Sequence, residues 1–177
     1  MILFVSFMGF VTENIWLAFT KGYIDNRNMR LPFLLGYGLL MMLTYFLLGI
    51  PEDRTTYFLQ SALIVMAGET LLGSAVERIC SFEWWNYSWL PLHLNKYTSI
   101  PTTVAFSLII TGFMDQLFLP LAEFFESISD RGVRISALGL ILLLLADLIH
   151  SFYRMYKNRG LYQIWYISIR EKAPAYK

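Results

Sequence analysis

Five stretches of this chain are long and apolar enough to cross a hydrocarbon core, and that constrains its fold more than any other feature of its 177 residues. Crossing about 30 Å of hydrocarbon at about 1.5 Å rise per residue takes roughly 20 mostly apolar residues. Such stretches run from Ile2 to Phe19, Leu31 to Ile50, Tyr57 to Cys80, Ile100 to Pro120 and Arg134 to Phe152, the last centred on LGLILLLLADLI. Charges or Pro and Gly separate them, as in PEDR after Ile50 and SISDRG before Val133. The opening stretch has neither the basic start nor the small-residue cleavage site of a secretory signal, so it is expected to stay as a span. Composition agrees, with 15% of residues charged against about 25% in an ordinary soluble domain. The expected fold is an all-α, polytopic transmembrane helix bundle of about five spans, forming one domain over 1–157 and followed by a tail over 158–177.

The formal net charge of +1 gives no basic field, which excludes phosphate-directed nucleic-acid binding. A single cysteine, Cys80, excludes an internal disulfide and a Cys-rich zinc site. Grouping Lys and Arg by connection puts all of them on one face except Arg54, Arg131 and Arg134. The positive-inside rule makes the richer face cytoplasmic, with the amino terminus outside, the carboxyl terminus inside and the protein in the cell's inner membrane. The Ser81–Ser99 connection, SFEWWNYSWLPLHLNKYTS, carries three Trp and two Tyr, residue types that favour the headgroup level. It is expected to form an interfacial or shallowly re-entrant hairpin. GLYQIWYISIR in the tail is too short to cross and is expected to lie in the cytoplasmic interface. No internal sequence repeat is evident, which disfavours an inverted-repeat transporter within one chain.

Ionisable residues inside the spans each need a partner or a task, because a charge at membrane depth costs about 2.5–3.5 kcal/mol on insertion scales. Glu13, Glu69, Glu77, Asp115 and Asp147 fall within spans, and His150 follows Asp147 by one turn. Glu69, Gly73 and Glu77 lie along one helix ridge, where Gly73 allows close approach of a neighbouring helix. Thr70 and Ser74 beside it form a small-xxx-small pair suited to helix packing. These carboxylates are either structural, bonded to Arg78, to Trp or Tyr, or to another helix, or they line a substrate or ion path. Glu13, Glu77, Asp147 and His150 fall in one bilayer half, favouring one shared site. The set lacks metal-binding spacings, so no metal and no cofactor is expected. No GxSxG elbow or P-loop is present, so no catalytic residue is assigned and any ATP hydrolysis requires another subunit.

The segment GETLLGSAVERICSFEWWNYSWLPLHLN resembles the signature of the ABC-transporter type IV (CmpB-like) integral membrane family. That signature has a Glu in a helix, a second about two turns later, a Trp-Asp-Tyr-Ser block and a Leu-Asn step. Here these positions are Glu69, Glu77, Trp85-Asn86-Tyr87-Ser88 preceded by Trp84, and Leu94-Asn95. The first hairpin also fits, with Glu13, the Asn26-Arg27 pair and the Tyr37-Gly38 step. Asn86 stands where the family usually has Asp, and Asn28-Met29-Arg30 replaces its usual Gly-Pro step. The resemblance implies a permease-like membrane subunit with lipid around it and a separate ATPase or sister permease as partner; a homo-oligomer is the other assembly considered. Two other functions fit the residues. One is a membrane enzyme acting on lipid-like substrates, with Glu77 or Glu69 as general acid/base and the aromatic hairpin holding the headgroup. The other is a non-catalytic scaffold or regulator of a helical partner.

Overall fold

The computed structural model describes residues 1–169; the last eight residues of the expected tail, with Arg170, Lys172 and Lys177 of the charge count, lie outside them. The described chain is helical apart from one small ribbon, in the order α1 (Ile2–Thr20), β1 (Tyr23–Asp25), α2 (Leu35–Leu48), α3 (Arg54–Cys80), α4 (Ile100–Gln116), α5 (Phe118–Ser127), α6 (Arg131–Asn158) and β2 (Tyr166–Ser168). Among the described residues, α1, α3 and α6 are long and apolar enough to cross a membrane. Counting the bent pair α4–α5 as one span brings the number to four. The second expected span is represented by α2, whose 14 residues cover only about 21 Å at the helical rise.

Local chemistry sets these limits. The Asp53 carboxylate accepts from the Thr56 N–H at 2.7 Å and starts α3 one turn before the first apolar residue of its run. Ser81 ends that helix in the left-handed region at φ 57°, its N–H returning to the Glu77 carbonyl. Ser99 and Thr102 form a reciprocal capping box at the start of α4. Asp130 caps α6 by accepting from the Val133 N–H at 2.8 Å. The Asp130 cap starts α6 three residues before Arg134, and with no Gly or Pro between Phe152 and Gly160 the helix also runs past its expected end, to Asn158. Helix α4 stops at Gln116, four residues before Pro120, whose ring would collide with that carbonyl. The chain then turns by 54° into α5, so the fourth apolar stretch is broken rather than straight.

The chain forms two compact units, Met1–Leu40 together with the chain from Asp130 on, and Met41–Ser129. In the first, β1 and β2 pair antiparallel with Tyr23 opposite Ser168, and their Tyr23 and Tyr166 rings lie 5.1 Å apart. The tail therefore supplies a strand, which its sequence does not announce. Asn26 and Asn28 extend the seam. Asn26 donates to the carbonyls of Met29 at 2.9 Å and Tyr162 at 3.0 Å and accepts from the Ile164 N–H, while Asn28 accepts from the Tyr162 N–H. Asn28 sits at φ 65°, a left-handed conformation that Asn tolerates better than most residues.

In the second unit, α3 and α4 pack together and the connection between them folds back on itself. The Tyr87 N–H donates to the Lys96 carbonyl at 2.8 Å, the Ile100 N–H to the Leu92 carbonyl at 3.0 Å, and the Trp85 indole to the Tyr97 carbonyl at 2.9 Å. The Tyr97 ring lies directly on Gly73, where an added Cβ would overlap it. The surface that Gly73 opens is thus filled by an aromatic ring from the hairpin, where the sequence suggested a second helix; a ring lying flat needs the same absent side chain. Gly73→Ala should lower the stability of the full chain in detergent by about 1–3 kcal/mol. Gly112→Ala, in α4 with nothing near its added methyl, should leave it unchanged or raise it by up to about 1 kcal/mol. Equal effects in thermal unfolding would remove the ring-on-glycine contact as a determinant.

Candidate functional site: two carboxylate clasps

In each unit one helix glutamate is gripped in the same way, Glu13 on α1 and Glu77 on α3. In the first unit, Tyr37 packs on Gly9 and its hydroxyl donates to Glu13, one helical turn further along α1. The Arg27 guanidinium completes the grip at 3.3 Å from Glu13 and 3.6 Å from Asp25. In the second unit, Tyr97 packs on Gly73, its hydroxyl donates to Glu77, and the Lys96 ammonium pairs with Glu77. A Gly four residues before a Glu, a Tyr ring on the Gly with its hydroxyl on the Glu, and a cation from the following loop therefore occur twice. No sequence repeat is evident because the loops differ: 24 positions separate Glu13 from Tyr37 and 20 separate Glu77 from Tyr97. The signal that could have found it is the GxxxE pair with a downstream Tyr.

The second clasp carries more polar groups. Lys96 also bridges to Glu83 at 3.0 Å, and Glu83 accepts from the Asn86 amide at 2.7 Å. Asn86 in turn accepts the Ser88 N–H at 2.8 Å. An Asp here could make the second contact but not the first, since it would set a carboxylate against Glu83. Next to the clasp, the Asn95 amide donates to Thr70 at 3.0 Å while its oxygen takes the N–H groups of Tyr97 and Thr98. Thr70 thus serves the hairpin, and Ser74 is half-buried on the same helix. Glu69 accepts from the Thr98 hydroxyl at 2.8 Å. The Trp84 and Trp85 rings lie 5.6 Å apart, tilted by 55°, at the base of the hairpin, while Leu94 is exposed.

The remaining ionisable groups have separate partners. Asp115 pairs with Arg54 at 2.7 Å. Asp147 takes the Arg30 N–H and the Leu31 N–H, at 3.0 and 2.9 Å, and so holds the first loop by its backbone. His150 lies edge-on to Tyr162 with ring centroids 5.8 Å apart. Glu13, Asp147 and His150 each meet different partners within the first unit, and Glu77 belongs to the other unit. Among the described residues no group of three or more His, Cys, Asp or Glu is placed to hold a metal ion. Two concavities, one beside Gly49 and Pro51 and the other between Leu3 and Ser136, are open grooves.

The second clasp also carries charge pairs at its exposed edge. The Asn86 amide, and then Lys96, keep the Glu83 carboxyl below the usual carboxylate range; Glu77, and then Glu83, keep the Lys96 ammonium above its usual range. A carboxylate depressed on folding stabilises above its unfolded pKa, and that contribution is lost as pH falls through the folded value. A raised ammonium stabilises below its unfolded pKa and loses that contribution as pH rises through the folded one. The hairpin should therefore hold between the carboxylate and ammonium ranges and loosen below about pH 4. Lys96→Met leaves Glu77 and Glu83 without their shared cation and should raise Trp solvent exposure near neutrality, read by fluorescence quenching. Quenching identical to wild type across this range would show that the ion pairs do not hold the hairpin.

Asp147→Leu should cost on the order of 1–3 kcal/mol for each N–H left without its acceptor, whereas Asp147→Asn, which keeps an acceptor oxygen, should cost less. Unfolding midpoints of the two variants decide this, and equal losses would point to charge instead of hydrogen bonding.

No curated relative and no solved structure matches the chain. A family model does, over residues 1–152, a stretch that contains both clasps, the aromatic hairpin and most of α6. Apolar helices of membrane-crossing length and this match together make it a membrane protein. The chain belongs to the family described as "Putative ABC-transporter type IV".

Proposed function

We propose that this chain is a permease-like subunit of a transport assembly whose ATPase is a separate chain. The observation that carries this reading is the surface of α6: only 6% of its membrane-crossing window is buried. A 28-residue helix so little covered by its own chain is suited to lipid on one side and to helices of another subunit on another. The clasps support the same reading, because Glu13, Glu69 and Glu77 are engaged by groups of their own unit. A path for substrate is then one that forms with partner subunits.

In this reading the assembly sits in the inner membrane, amino terminus outside and carboxyl terminus in the cytoplasm. Five crossings require α2 to span with help from the residues flanking it and local thinning of the bilayer. The Trp84–Ser88 block lies at headgroup level, the depth that Trp and Tyr favour. The test is affinity purification of the full chain from native membranes in mild detergent, with mass spectrometry of stoichiometric partners and an ATPase assay. A P-loop ATPase should co-purify, with hydrolysis altered several-fold by Glu69→Gln. A lone homo-oligomer without ATPase activity would overturn the proposal.

A further inference from the structure

One cluster in the first unit belongs to neither clasp. It is built around Tyr162, whose hydroxyl accepts from Arg30 Nε at 3.0 Å. The Arg154 guanidinium lies 5.7 Å from the centre of the same ring, and the His150 imidazole meets it edge-on. Three basic side chains thus converge on one phenol. Arg30 comes from the first loop, and His150 and Arg154 lie one turn apart on α6.

The acids nearby are occupied elsewhere. Glu13 and Asp25 pair with Arg27. Asp147 spends its oxygens on the backbone N–H groups of Arg30 and Leu31. Arg30 and Arg154 have no carboxylate within ion-pair distance among the described residues, and Arg154 Nε and His150 Nε2 are buried with no hydrogen-bond partner among them. Donors buried without partners are uncommon in folded proteins and call for an explanation. Having accepted from Arg30, Tyr162 still has its own O–H to donate.

Position selects the ligand. On α6 the cluster begins just past Ala146, where the apolar run gives way to polar residues, and the exposed Trp165 lies in the adjoining segment. An apolar helix and an aromatic residue at its edge mark the level of lipid headgroups. Guanidinium groups match the oxygens of a phosphoryl group in number and direction. The geometry points to a phosphoryl-binding site formed by Arg30, His150, Arg154 and Tyr162, occupied by the headgroup of an anionic phospholipid. This site is independent of any transport activity, so the ATPase experiment does not bear on it.

The test uses the full chain in mild detergent, titrated with phosphatidylglycerol, phosphatidylcholine or inorganic phosphate. Native mass spectrometry counts the retained lipid and thermal unfolding reports on phosphate. Wild type should retain phosphatidylglycerol in preference to phosphatidylcholine. The double variant Arg30→Gln/Arg154→Gln should lose that preference by about tenfold or more while holding phosphatidylcholine as before. If inorganic phosphate instead stabilises wild type and not the variant, the phosphoryl site stands with a soluble occupant in place of lipid. Should the double variant fail to fold, Arg154→Gln compared with Arg154→Lys gives the same discrimination, because only the first removes the charge. Unchanged lipid preference together with an unchanged phosphate response would overturn the proposal.

Discussion

A tyrosine laid on a helix glycine, with its hydroxyl on a glutamate one turn further along, is the contact on which both units depend. It couples three requirements. The glycine gives up its side chain so that the ring can reach the helix; the ring covers apolar surface; and the hydroxyl supplies a carboxylate with a donor where bare charge would be costly. The connection that leads to the tyrosine also carries the cation, Arg27 in one unit and Lys96 in the other. A glutamate in an apolar helix is thereby converted from a liability into the point at which a long connection is pinned down.

The pinned connections face a second constraint. Backbone outside helices must satisfy its N–H and C=O groups without relying on water where lipid surrounds it. Here asparagines carry much of that load. Asn14 accepts the Asp25 N–H at 2.9 Å, Asn26 and Asn28 tie the first loop to the segment after α6, and Asn95 closes the turn before α4. An amide both donates and accepts, so one side chain satisfies two strands of chain at once. The same property explains Asn86, which contacts a carboxylate and a backbone N–H together.

Much of the fold was legible because helix limits are local. Asp53, Ser99 and Asp130 are N-caps that can be recognised from sequence, and Pro120 marks the break between α4 and α5. The 14-residue α2 was less legible, because Leu31–Leu34 is as apolar as the helix it precedes. Its residues are instead drawn into loop contacts, with the Leu31 N–H on Asp147 and the Leu34 N–H on the Ser6 carbonyl. Of the site, the carboxylates were visible as charges in apolar runs and the asparagines as positions of the family signature. Their partners were not: Lys96, Tyr97 and Tyr162 are ordinary loop residues, and Tyr37 stood out only within the family's Tyr-Gly step, with nothing to tie it to Glu13.

The sequence by itself determined that lipid is the solvent, where most of the apolar helices fall, and which groups would be costly without partners, because each depends on residues within a few turns of one another. Only the tertiary structure decided what those groups meet. That Tyr97 covers Gly73, that the tail supplies a strand opposite β1, and that Arg30, His150 and Arg154 gather on Tyr162 are pairings across loops of unequal length or across more than a hundred residues. No periodicity in the sequence encodes such distances, and chain closure fixes them only once the helices have packed.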